Sequence, residues 1–287
     1  MTTVVAAEPV AACVTPTRRG WAVMWRVELT KLTSQLKVRV ALLACLVVPL
    51  AFTVLESTQS SVPGDTLFGR WVHESGFAVS LFLLAFTSQW GLPFLVAILA
   101  GDVSAEEDRL HTWPLLLTRS HSRAEVLAGK VLAAGTLTLA GTVLLAVSST
   151  LSGVLVVGTQ PLVGLSGRLL APGAALAATA GSWLSILPPV LCVVAIAVLA
   201  SVASRNSWVG VVTPVLAVLG LDMVAQFSAL DPVRPLLPTT GFDAWHGLVR
   251  SGVYTDQAWT SLVVSALWVA ACLGAAAAIF LRRDVVE

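Results

Sequence analysis

The chain has 287 residues, of which 56% are hydrophobic and 11% charged, with a net charge of +1. A soluble domain typically carries about 25% charged residues, so this chain cannot cover a water-facing globule and lipid must be its main solvent. The near-neutral balance and lack of a basic patch give no sign of nucleic-acid binding. Cys13, Cys45, Cys192 and Cys272 lie far apart, which excludes a metal, redox or disulfide pattern and leaves packing thiols.

Taken in order, residues 1–17 lack the basic start and compact apolar core of a signal peptide, and are expected to form a disordered tail before a membrane domain over 18–287. Trp21 to Lys37 follows as an amphipathic helix. At 100° per residue Trp21, Trp25, Leu29, Leu32 and Leu36 share a stripe of about 80°, with Glu28 at its edge. Two tryptophans beside basic residues suit a helix lying in the headgroup layer. Crossing roughly 30 Å of hydrocarbon takes about 20 apolar residues as helix. Six runs qualify, near 38–55, 77–100, 131–157, 183–203, 208–227 and 258–281. Only helices or closed barrels satisfy the backbone in lipid, and runs this long exclude strands. The expected fold is therefore an all-α membrane protein of six transmembrane helices with an N-terminal interfacial helix. Glycines 153, 158, 164 and 167, with Pro161 and Pro172, break up the ground between spans three and four.

Orientation follows from the Lys and Arg count. Thirteen fall on the side holding both termini and the loop after span two; only Arg70, Arg168, Arg234 and Arg250 fall on the other. Both termini are thus expected in the cytoplasm, in a multi-pass plasma (inner) membrane protein. The last outer loop, 228–257, contains Phe242–Val249, with Phe242, Trp245 and Val249 on one helical face. It either dips into the outer leaflet or simply caps the bundle.

Few residues carry chemistry. Asp222 is the one acidic residue inside a span, where a charge is a functional candidate by default, although its place in the outer third lets water reach it. Gln89 and Trp90 precede Pro93 in span two. Gln89 suits bonding to backbone freed at the proline kink, and the pair is also a candidate cargo contact, with Asp222. His73, His111, His121 and His246 share no metal-like spacing, and no Ser/His/Asp arrangement or HExxH is present. Gly129-Lys130 is followed by Val131 rather than Ser or Thr, so there is no phosphate-cradling loop. No cofactor is expected in this chain, and any nucleotide energy must come from another polypeptide.

The densest charge lies in Gly101–Lys130, which holds nine of the thirty-three charged residues. Here Glu107 is followed by Thr112, then Leu115, Leu116 and Leu117, then Ser122-Arg123, with Gly129-Lys130 opening the third span. This order resembles, in one register without gaps, the loop after the second span in permeases of ABC-2 type exporters. It departs at His111, where that family usually has Gly, and at Ser120, where it usually has Pro. The helix before span one, six spans, both termini inside and the ending Leu281-Arg282-Arg283-Asp284 are similar too, so the likeness covers the chain after about residue 20.

The resemblance implies a permease that hydrolyses nothing itself. It implies pairing with a second copy or a related permease and with two copies of an ABC ATP-binding subunit that holds ATP and Mg. The loop would dock on that subunit as a coupling helix. Glu106, Glu107, Arg119 and Arg123 would set register, Trp113, Leu115 and Leu116 would supply buried anchors, and Thr112 takes the motif threonine. Cargo would be hydrophobic or amphipathic: drug, peptide antibiotic, lipid or lipid-linked glycan. Two other readings stay open, an intramembrane enzyme built on Asp222 with Glu56 or His246, and a non-transporting scaffold or signalling subunit.

Overall fold

The structure is a computed structural model and describes residues 20–64, 66–110, 122–250 and 254–282. The expected tail and the called residues Thr112, Trp113, Leu115, Leu116 and Arg119 lie outside them. Among the described residues ten α-helices run in chain order: α1 Gly20–Ser34, α2 Leu36–Ser57, α3 Gly76–Phe86, α4 Leu92–Ala100, α5 Ala105–Leu110, α6 Arg123–Val156, α7 Pro172–Ser185, α8 Leu187–Ser204, α9 Ser207–Val224 and α10 Asp256–Leu281. Six helical stretches are long and apolar enough to cross a membrane: Leu36–Ser57, Gly76–Ala100, Arg123–Val156, Pro172–Ser204, Ser207–Val224 and Asp256–Leu281. The chain is thus a helical multi-pass membrane protein. A two-stranded hairpin, β1 Leu162–Val163 paired antiparallel with β2 Leu169–Leu170, stands between spans three and four.

Two span edges differ from expectation. Span three begins at Arg123, not near 131, because Ser122 and Glu125 form a capping box: Glu125 N–H donates to Ser122 Oγ (3.3 Å) and Ser122 N–H to the Glu125 carboxylate (2.9 Å). Its 34 residues extend about 51 Å at 1.5 Å per residue, so one end projects well past the ~30 Å hydrocarbon layer. Span four begins at Pro172, not near 183. Proline at the first turn of a helix starts it rather than breaks it, and the alanine-rich run that follows is helical though only mildly hydropathic. The interruption comes later, at Ile186, just before Pro188-Pro189.

Spans two and four are the most enclosed, with 56% and 61% of their apolar windows buried, against 28%, 17% and 22% for spans one, five and six. The second set therefore forms the rim. Polar groups inside the bundle are tied between helices. Pro49 in α2 has no N–H to offer the Cys45 carbonyl, and the Ser148 hydroxyl of α6 donates to it instead (2.7 Å). Trp183 of α7 donates to Ser80 Oγ of α3 (3.0 Å), which lies 3.1 Å from Ser149 Oγ and 2.9 Å from Thr150 Oγ1 of α6. Backbones of α3 and α6 meet at Gly76 and Gly153, where a Cβ on either would run into the other. Small residues at such crossings let membrane helices approach closely.

Between α3 and α4, Thr87–Gly91 forms a π-turn. The hydroxyl of Thr87 donates to Leu83 O (2.7 Å) and that of Ser88 to Ala85 O (3.0 Å). Beyond α9, Pro238–Val249 is a 3₁₀-helix. With three residues per turn, Thr239, Phe242 and Trp245 align on one face, and all three are buried. The segment expected to dip or cap thus turns its aromatics inward, with Trp245 6.0 Å from the Phe68 ring.

Candidate functional site

The functional candidate is built where α1, α5 and the start of α6 converge. Helix α1 buries Gly20, Met24, Glu28 and Leu32, one residue in four, against α6. Contact is close because Gly129 has no side chain; a Cβ there would lie 2.6 Å from Met24 Cβ. Of the expected stripe, Leu32 is buried, Trp25 and Leu29 are half-buried and Trp21 is exposed. Trp25 Nε1 donates to Thr136 Oγ1 of α6 (3.2 Å). The helix therefore turns its buried side about one position from the expected stripe, and Glu28 lies at the centre of that side.

Glu28 is buried because a cation meets it. Lys130, in the second turn of α6 and fully buried, donates to Glu28 Oε1 (2.9 Å), to Glu107 Oε1 (2.6 Å) and to the Val103 carbonyl (3.0 Å). All three Lys130 protons thus have acceptors. Lys31 pairs with Glu107 as well, and lies 3.6 Å from Glu106 and 3.9 Å from Glu28. Gln35, the single bent residue between α1 and α2, donates to Glu106 (2.8 Å), and Lys37 pairs with Asp102. Four carboxylates therefore face three ammonium groups across four helices, α1, α2, α5 and α6, and the turn that holds Asp102. Burial alone pulls the Lys31 ammonium down, but Glu107, Glu28 and Glu106 outweigh it and hold it above the ordinary lysine value.

Helix α5 is too short to stand alone, and α8 holds its start. The buried Ser201 hydroxyl accepts from the backbone N–H of both Ser104 and Ala105 (3.1 Å each). Acids Glu106, Glu107 and Asp108 fill its first turn, where helix N–H groups favour negative charge. Among the called coupling residues the structure brings Glu106 and Glu107 together. Glu107 is buried and held by two lysines, so its charge is met within the chain rather than presented outward. Arg123 is half-buried in the first turn of α6 and Glu106 lines the cluster's edge.

The second set of called residues is scattered. Gln89 and Trp90 are exposed on the π-turn of span two, Trp90 by 50%. Asp222 is half-buried in the last turn of α9, beside Thr239. Among the described residues no hydrogen bond or ion pair joins Asp222 to Gln89 or to Trp90, and no group of three His, Cys, Asp or Glu could hold a metal ion.

Sequence reasoning missed Glu28, Lys31, Gln35, Lys37 and Asp102 as members of one site. The signal for Glu28 was present: an acid spaced four residues from Met24 and from Leu32 on an apolar face demands a buried cation. Chemically the cluster pairs carboxylate acceptors with ammonium donors. It fastens the loop after span two to α1 on one side and to α6 on the other. The chain matches no protein-family model and no curated protein.

Proposed function

We propose that the chain is the six-span permease subunit of an ABC-2 type exporter, working as a pair of permeases with two separate ATP-binding subunits. In this reading it sits in the plasma membrane with both termini, α1 and α5 in the cytoplasm, and the residues 111–121 beside α5 meet the ATPase. The single observation that carries it is the clamp of Lys130 on Glu28 and Glu107. A loop that merely enforced topology would need charge but no buried attachment to two helices. A loop pushed by an external engine does need one. Glu107 then transmits force rather than recognising the partner, while Trp113, Leu115, Leu116, Arg119 and Thr112 supply the contact. Cargo is hydrophobic or amphipathic, in keeping with the scarcity of charge in the spans.

Affinity purification of the tagged chain from its native membranes tests this. A P-loop ATPase is expected to accompany it, and Arg119→Glu to release that ATPase while the permease remains folded. ATP-driven flux in vesicles should vanish with it. If no ATPase accompanies the intact chain, or flux continues without one, the reading fails.

A further inference from the structure

The side of the membrane opposite the α5 loop carries only four basic residues, and two of them converge. Arg70 Nε donates to the Gly64 carbonyl (3.5 Å) and Arg234 lies 3.9 Å from Asp231. Arg168 and Arg250 instead line one cavity of about 360 Å³, and among the described residues neither is paired with a carboxylate. They are 82 positions apart in sequence, and backbone bonds hold them together. Leu165 N–H in the hairpin donates to the Val249 carbonyl (3.1 Å), next to Arg250, while Gly164 N–H donates to the Arg168 carbonyl (2.8 Å). A Cβ on Gly164 would lie 2.7 Å from Val249 O, so the junction is close enough to require glycine there. Gly167, with φ +78°, takes the left-handed turn that brings Arg168 back along the hairpin.

Apart from Ser166, the rest of the cavity lining is apolar. Ala174, Ala177, Ala178 and Gly181 of α7 line it. Their spacing puts them on one helical face running about 10 Å down the helix from the end nearest the arginines. Two cations at the mouth and a shallow, small-residue trough below it match a molecule with an anionic head and an apolar tail. We propose that this cavity binds the phosphate headgroup of an anionic phospholipid between Arg168 and Arg250, with the first part of an acyl chain along the α7 trough. Arginine suits the role because its planar fork meets phosphate oxygens in pairs. The site stands on the cavity and the two guanidinium groups; only its assignment to the outer leaflet rests on the orientation proposed above, so failure of the ATPase reading leaves it intact.

The test uses the full chain in a zwitterionic detergent-lipid micelle. Thermal unfolding is followed as phosphatidylglycerol, phosphatidylcholine or inorganic phosphate is added. Phosphatidylglycerol is expected to raise the midpoint saturably, and the other two to leave it unchanged at the same concentrations. Arg168→Gln with Arg250→Gln should weaken that response about thirtyfold, since each of the two arginines near a lipid surface contributes about 1 kcal/mol. Arg70→Gln should preserve it. Ala177→Leu keeps both arginines and fills the trough, so it should also weaken the lipid response; it serves if the double variant fails to fold. Equal responses to phosphatidylcholine, equal responses to inorganic phosphate, or an undiminished response in either variant overturns the proposal.

Discussion

Lys130 is where a single side chain decides the most. Its ammonium bridges two buried carboxylates, Glu28 and Glu107, and is itself fully buried, whereas Lys31, their other cation, is partly open to water. Removing one partner from a buried ion pair typically costs about 3–5 kcal/mol because the other charge is left stranded, whereas replacing the whole set can be nearly neutral. Lys130→Met should therefore lower unfolding stability in detergent by about 3 kcal/mol or more. Adding Glu28→Gln and Glu107→Gln to it should recover most of the loss. A Lys130→Met chain as stable as the parent would show that the cluster carries no such energy. Part of this was legible: Lys130 stood out at the opening of span three and Glu107 in the charged loop. Their pairing was not, because nothing in the spacing says that α1 lies alongside α6. That contact depends on Gly129 admitting Met24, a fact of three-dimensional fit.

At the scale of elements, hydropathy located all six spans, since each needs a long apolar run and the composition supplies six. The edges were harder. A window scan ends a span where hydropathy drops, but α6 continues as helix through Glu125 to its Ser122 cap, and α7 starts on Pro172 through residues too small to score highly. The capping box Ser122-x-x-Glu125 was readable in the sequence; the π-turn at 87–91 was not, because it depends on how two half-helices pack. Crossings between elements give a sharper test. Gly153 of α6 faces Gly76 of α3, so Gly153→Ala should cost about 1–3 kcal/mol by overpacking. Gly274 of α10 has open space around it, so Gly274→Ala should be neutral or stabilising by up to about 1 kcal/mol. Equal effects of the two, measured by thermal unfolding of the purified chain, would show that the α3–α6 crossing is not close-packed.

At the scale of the whole molecule, the six spans fix which connections share a side, while the proposed orientation rests on the count of basic residues. Asn206, between spans four and five, lies on the side of the α5 loop, and Ser228, after span five, on the opposite one. Both are exposed. In a chain stripped of its four native cysteines, Ser228→Cys should react with a membrane-impermeant thiol reagent in intact cells. Asn206→Cys should react only after permeabilisation. The reverse pattern would invert the proposed orientation. The proposed partner rests on a resemblance alone, because Thr112, Trp113, Leu115, Leu116 and Arg119, assigned to its contact, lie outside the described residues.

One further consequence follows from the length of α6. It carries no proline and no break, unlike the spans containing Pro49, the 87–91 turn, the Ile186 interruption or Pro214. A rod of about 51 Å pivoting near its centre moves each end by about 2 Å for a tilt of about 5°. Its near end holds Lys130 and the clamp; its far end leads through Gly158, whose carbonyl accepts from Gly76, toward the hairpin that carries Arg168. The clamp and the arginine cavity therefore sit at opposite ends of a single lever, and a displacement at one is geometrically a displacement at the other.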